Sequence, residues 1–422
     1  MPTVFLVVAC VGAMFTLLAL TTPRHPAVFS FPIFMIGWAT GELALFHLAW
    51  QAIATIVFVA LGALNEPGGW IGLAITLASW TGLWVAERRQ GTAAAILDEA
   101  LHDTLAEEHE ATIAGDAAAV ERIVSRRQLL SPFRMRTAGI ECTRDIEYGE
   151  HHRNKLDVYR PAEAGERRPV LLQIHGGAWV IGNKRQQGQP LMHHLAERGW
   201  VCVAPNYRLS PKATFPDHLV DVKRALAWVR THIAESGGDP DFVVVTGGSA
   251  GGHLASFLAL TANQPQYQPG LEGIATSVAA CVPMYGVYDF LDRHRVRGRA
   301  SMRPFLQPIV MKCSPKRCPE LWEAASPISH VRADAPPFLV IHGRSDSLAW
   351  VEDARYFVDA LREVSESPVL YAELPYTQHA FDVMYTVRTA RVAHSIGRWL
   401  EHLHGGRESV QMHEARLEEA AS

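Results

Sequence analysis

The chain is short of charge. Asp, Glu, Lys and Arg make up 19% of its 422 residues while hydrophobic residues reach 48%, against a charged share of about 25% in ordinary soluble domains. That balance excludes disorder and points to segments that avoid water. A basic excess is missing too: the formal net charge is -4, so the sequence carries no electrostatic footprint for nucleic acid. Cysteine is sparse, at positions 10, 142, 202, 281, 313 and 318, which excludes a disulfide-dense scaffold. Only Cys313 and Cys318 are near neighbours, with no second pair at zinc-like spacing, and six free thiols are expected. No H-E-x-x-H, P-loop lysine or Rossmann glycine set occurs, so no metal or cofactor is implied. The adjacent pairs His151-His152 and His193-His194 are poor chelates, because neighbouring side chains on a helix or strand diverge.

What is present begins with apolar sequence. Residues 4–20 form an unbroken uncharged run, about the length a bilayer core demands of a helix. The run lacks the basic leader and the small-residue cleavage site of a signal peptide. Residues 28–64 are interrupted only by Glu42, His47 and Gln51, and are too long for one span. They read as a lead-in around 31–39 and one span near 43–64, with Glu42 at an interface. The cluster 65–69 is a turn. Residues 70–85 form a third span, closed by Glu87-Arg88-Arg89, with Trp70, Trp80 and Trp84 suited to membrane interfaces. Residues 1–89 therefore read as a transmembrane helical region of about three spans. Arg24, Arg88 and Arg89 lie on the side of the C-terminal bulk, which the positive-inside rule places in the cytoplasm.

Residues 90–135 read as a helical connecting segment. Leu97, Leu101 and Leu105 share one helix face, and Asp116 suits the cap of a second helix carrying Val120, Ile123 and Val124. Glu107, Glu108 and Glu110 disfavour anionic lipid, so a spacer packed on the globular part is expected.

From about residue 136 strands alternate with helices. Short alternating strands fit 142–148 and 155–159. Buried-strand runs fit 169–174, 200–204, 242–246, 337–341 and 369–373, with a helical pattern over 219–232. This pattern implies a largely parallel sheet with its site at the carboxyl ends of the strands. Gly247-Gly248-Ser249-Ala250-Gly251 matches G-x-S-x-G. The match is weak alone and specific in context, because a strand precedes it and a helix at 253–260 follows. The glycines permit the sharp turn that lifts the Ser249 hydroxyl above the sheet edge. His175-Gly176-Gly177-Ala178-Trp179 follows another strand end. The backbone N–H groups of Gly176, Gly177 and Ala250 are the expected oxyanion donors, and His175 itself reads as structural. A serine nucleophile needs a base and an orienting acid, in the chain order Ser, Asp, His. Asp346 and His379 each sit on a loop just past a strand end. Asp353, expected inside a helix over 351–361 and facing solvent, and Asp382, too close to His379, are the rival acids.

These motifs, with Asn206-Tyr207-Arg208-Leu209-Ser210-Pro211, His342-Gly343 ahead of Asp346 and Ala380-Phe381 after His379, resemble the α/β-hydrolase fold of the hormone-sensitive-lipase-like bacterial carboxylesterases. The resemblance covers about 148–403, and the layout is similar to that of membrane-associated esterases of actinobacteria. It implies a mostly parallel central sheet flanked by helices over 136–406, with a cap insertion at about 289–327 and a tail at 407–422. It also implies hydrolysis of acyl esters without cofactor by a triad of Ser249, Asp346 and His379, with Gly176 and Gly177 as oxyanion glycines. The insertion carries Arg293, Arg295, Arg297, Arg299 and Arg303, expected as a solvated surface rather than a headgroup site. Phe305, Leu306, Ile309, Val310 and Met311 fit an acyl pocket or core packing equally. The reading is a membrane-anchored serine carboxylesterase, with an acyl ester and the lipid bilayer as partners. Its rivals are an acyltransferase or envelope-lipid deacylase using the same triad, and a non-catalytic membrane interaction protein on a hydrolase scaffold.

Overall fold

The computed structural model describes residues 1–24, 30–105, 124–135, 137–298 and 301–421, with side chains described through 407 and at 409. The expected cap Asp116, its helix residues Val120 and Ile123, the acidic Glu107, Glu108 and Glu110, and Arg299 lie outside the described residues.

With little charge to solvate, the apolar runs satisfy their backbone internally as helices. They form α1 (Pro2–Thr21), α2 (Ser30–Glu42), α3 (Ala44–Ala60) and α4 (Pro67–Gln90), followed by α5 (Thr92–Leu101). Small residues let α1 and α4 approach closely and in parallel. A Cβ at Gly72 would meet the Leu6 backbone at 3.2 Å, and one at Gly82 would meet Thr16 at 2.6 Å. The Thr16 and Ser79 hydroxyls bond across the pair at 2.8 Å. By length and composition α1 and the α4–α5 helix are candidate membrane spans, and α2 with α3 makes a third if that pair, bent by 88°, is taken together. The bend matches the expected separation of a lead-in from a span.

The second half builds one eight-stranded sheet from β1 (Ile140–Glu147), β2 (Lys155–Pro161), β3 (Arg168–Ile174), β4 (Val201–Pro205), β5 (Gly238–Gly248), β6 (Ala280–Met284), β7 (Phe338–Gly343) and β8 (Val369–Leu374). Their order is β1-β2-β4-β3-β5-β6-β7-β8. The pairs β1–β2 and β2–β4 are antiparallel, and all others are parallel. Strand β6 was missed by sequence reasoning. It holds Pro283 and only one β-branched residue, features that argue against a central strand. The registers Ile174–Gly247, Gly248–Met284 and Gly343–Leu374 bring the carboxyl ends of five strands to one edge.

Helices α6 (Gln189–Glu197), α7 (Asp217–His232), α8 (Ala250–Leu260), α9 (Val351–Val364) and α10 (Val387–Ala421) cover the two faces. One core joins Leu226, Leu254, Phe257 and Phe357 to the sheet. The other joins Leu195, Ile396 and Trp399 with Leu97, Leu101 and Leu105 of the connecting segment. The shared leucine face is therefore buried on the globular part, and each fully buried leucine contributes about 1.5–3 kcal/mol. Residues 407–421, expected as a tail, continue α10.

Three local expectations are corrected. Cys313 and Cys318 are not free thiols: they form a disulfide with Cα atoms 6.1 Å apart, because the short turn between them brings both side chains together. The rings of His151 and His152 do not diverge; they lie in a turn with centroids 4.2 Å apart. Among the described arginines of the insertion, Arg293, Arg295 and Arg303 are exposed, as expected of a solvated surface, and only Arg297 departs from it. Arg293 pairs with Asp289 and Glu323, Arg303 donates to Leu291 O, and buried Arg297 donates to Leu348 O at 2.8 Å. Leu306, Val310 and Met311 belong to the main core, with Phe305 and Ile309 packed against it.

Candidate active site

The sharp turn between β5 and α8 sets the site. Ser249 has φ 59° and ψ -123°, a conformation costly for a residue with a Cβ and sustained by its surroundings. The turn is possible because a Cβ at Gly251 would come within 2.1 Å of Ile174 O. The Ser249 N–H donates to Met284 O at 3.0 Å, which fixes the turn on β6. Its hydroxyl lies 2.8 Å from His379 Nε2, and His379 Nδ1 lies 2.7 Å from Asp346 Oδ2. The three residues expected from chain order are thus brought together in sequence Ser, His, Asp.

The carboxylate is buried and well supplied. Burial alone would raise the Asp346 pKa, but His379 and His342 beside it hold the group below the usual carboxylate range. Its Oδ1 accepts from the Leu348 and Ala349 N–H groups, both at 2.8 Å. Gln378, which sequence reasoning missed, ties the two loops together. Its Oε1 accepts from the Ser347 and His379 N–H groups, each at 2.8 Å, and its Nε2 donates to Ser347 Oγ at 3.0 Å. Tyr285 lies against the His379 ring at 4.7 Å and donates to Asp382, so Asp382 serves the tyrosine and not the imidazole. Asp353 is corrected: it is buried, not solvent-facing. From the first turn of α9 its carboxylate accepts the Tyr288 N–H at 2.8 Å, and burial pushes its pKa up to about 6.

The three expected oxyanion donors divide. The Gly176 N–H already donates to Gln187 Oε1 at 2.6 Å. The N–H groups of Gly177, Ala178 and Ala250 meet no acceptor among the described residues. His175 is structural, as expected. Its Nδ1 donates to Gly176 O at 2.7 Å, its ring stacks on Tyr207, and burial lowers its pKa to about 4. No group of three or more His, Cys, Asp or Glu among the described residues has the arrangement of a metal site.

The roof over His379 comes from the N-terminal helices, which the sequence did not foretell. The Phe34 ring meets the His379 imidazole edge-on at 5.9 Å, and Trp38 Nε1 donates to Ala380 O at 3.0 Å. Glu42 is buried in an ion pair with Arg388, and Arg24 pairs with Glu352 at 2.8 Å.

Residues 156–361, which hold the elbow at Ser249 and the loop of Asp346 but end before His379, match the BD-FAE family model. This region has the fold of an α/β-hydrolase. It is similar to the probable carboxylic ester hydrolase LipM of Mycobacterium tuberculosis, 55% identical over 61% of this chain and 60% of LipM. Esterase LipQ of the same organism is 48% identical over 63% of each chain. The chain thus spans about three fifths of the length of these relatives. Among solved structures, a thermophilic esterase from Thermogutta terrifontis superposes with a TM-score of 0.50 at 26% identity, covering 63% of this chain and 90% of that one. The alignments to LipM and LipQ show that this region is similar in sequence to proteins named as esterases.

Proposed function

We propose that the protein is a membrane-anchored serine carboxylesterase. The observation that carries this reading is the unbroken chain of contacts from Ser249 Oγ to His379 Nε2 and from His379 Nδ1 to Asp346, at 2.8 and 2.7 Å. His379 takes the Ser249 proton as the oxygen attacks the ester carbonyl. The negative oxygen of the tetrahedral intermediate is held by the N–H groups of Ala250 and Gly177. With Gly176 occupied by Gln187, the next N–H in the same turn, that of Ala178, supplies the third donor. The imidazolium gives its proton to the departing alcohol, leaving the acyl group on Ser249. A water deprotonated by His379 then attacks, and collapse releases the acid and restores the serine. Asp346 holds the imidazole in the required tautomer and stabilises its charged form.

Anchoring rests on α1, α3 and α4, whose outward side chains, including Val7, Ile56 and Leu77, are exposed and apolar. Arg24, Arg88 and Arg89 favour a cytoplasmic hydrolase. The Cys313–Cys318 disulfide favours an oxidising compartment.

The test is labelling of the detergent-solubilised protein with a fluorophosphonate, beside Ser249→Ala, followed by a p-nitrophenyl ester series of increasing acyl length. Labelling and turnover vanish in the variant while its thermal unfolding is unchanged. A folded wild type that resists the probe, or a variant as active as wild type, refutes the assignment.

A further inference from the structure

We propose that α2 is a positioning element of the esterase: Trp38 and Phe34 hold the loop of His379 in a backbone conformation it does not adopt freely, and so set the imidazole on Ser249. The inference rests on the esterase reading and adds positioning residues to it.

The three members of the triad are held in different ways. Ser249 sits on the turn that joins β5 directly to α8. Asp346 lies three residues past β7, with two backbone N–H groups on its Oδ1. His379 falls within residues 375–386, which form neither helix nor strand between β8 and α10. Two residues of that loop are left-handed without being glycine, Tyr376 at φ 55° and Ala380 at φ 56°. A Cβ makes that region costly, and such backbone persists only where its surroundings hold it.

Both residues are gripped from the N-terminal helices. The Arg89 guanidinium of α4 lies 4.1 Å from the Tyr376 ring. Tyr376 O accepts from Arg388 at 3.4 Å, and the Arg388 guanidinium is paired with Glu42 of α2. Trp38 Nε1 donates to Ala380 O at 3.0 Å; the other donor to that carbonyl, the Val383 N–H, is more distant at 3.4 Å. One turn earlier on α2, the Phe34 ring stacks on Trp38 with centroids 5.7 Å apart and meets the His379 imidazole edge-on at 5.9 Å. Tyr285 lies against the same imidazole at 4.7 Å. Residues 34, 38 and 42 recur every fourth position and so share one helix face, which seats α2 on the loop as a unit. If the Ala380 peptide turned, the adjoining imidazole would swing away from Ser249 and Asp346. A misplacement of about 1 Å in a reacting group can cost about 100-fold in rate.

The full chain in detergent is assayed on p-nitrophenyl acetate. Its kcat is referred to the serines that a fluorophosphonate labels at completion, so that only folded sites count. Trp38→Phe keeps a ring on Phe34 and removes the N–H. Its kcat falls about tenfold, the factor that a left-handed alanine costs against glycine. KM stays within about twofold, because acylation and deacylation both use His379. Glycine takes a positive φ freely, so in an Ala380→Gly background the same substitution costs less than about threefold. A loss that is absent, that falls on KM, or that is equal in the two backgrounds overturns the inference and leaves the esterase reading intact, as does a Trp38→Phe chain that labels in neither background. Wild type that neither labels nor turns over acetate, or turnover that survives Ser249→Ala, overturns the esterase reading itself and the inference with it.

Discussion

Mild acid destabilises the hydrolase before it alters the carboxylates at its centre. Burial lowers His175 and His218 to about 4 and His194 and His253 to about 3. Their folded values lie below the free value of about 6.5, so the unfolded chain binds protons that the folded chain refuses. Their stabilisation is complete above about pH 6.5 and is lost as pH falls. Asp353 acts in reverse: raised to about 6, it takes up a proton in the folded state first. Asp346 and Glu373, both held low, give up their share only below about pH 4. Near pH 5 the four histidines less the one aspartate leave a net uptake of about three protons on unfolding. At about 1.4 kcal/mol per proton and pH unit, stability falls by about 4 kcal/mol per unit. The assay is urea unfolding of the solubilised full chain, followed by tryptophan fluorescence between about pH 7.5 and pH 5. His253→Gln, which keeps a donor toward Ala325 O, lowers the slope by about one proton's worth. A midpoint that is flat or rises across that interval refutes the reasoning.

The two buried acids are separated by substitution. Asp346→Asn lowers ester turnover by about 10⁴-fold through loss of the correct imidazole tautomer, whereas Asp353→Asn leaves turnover within about twofold and raises stability at neutral pH; a loss below tenfold in the first would remove Asp346 from its role. Replacing Cys313 and Cys318 by serine costs about 2 kcal/mol, the closure entropy of so short a loop, read as a lowered thermal midpoint. Protease access to the hydrolase in intact spheroplasts then decides the membrane side: digestion supports the oxidising face, and protection supports the cytoplasm.

Much of the site was legible because its signals are local. The β-branched run at 243–246, the glycine turn and the helix after Ser249 are contiguous, and strand ends announce the loops of Asp346 and His379. The leucine spacing at 97, 101 and 105 foretold a buried helix face for the same reason. What escaped depends on partners distant in sequence. The Gly176 N–H is claimed by Gln187, a side chain from the following loop. Asp353 sits where a first-turn acid normally faces water, and turns inward for the Tyr288 N–H. Strand β6 hides behind Pro283, whose missing N–H reads as a break until its neighbours β5 and β7 are known. Phe34 looked like one more apolar residue, and only the folded chain places it on His379.

The Glu42–Arg388 pair changes what counts as a unit of folding. Sequence pattern begins the hydrolase near residue 136, yet the cation at the start of α10 is buried against an acid supplied from the apolar region, and Leu97 and Leu101 complete the packing behind α10. A fragment cut at the apparent boundary would retain Arg388 with no counter-charge, at a cost of about 3–5 kcal/mol, besides opening that hydrophobic seam. Against the 5–15 kcal/mol that typically holds a domain together, such a loss is comparable to the whole margin. Thermodynamically the apolar N-terminal helices are part of the hydrolase's interior.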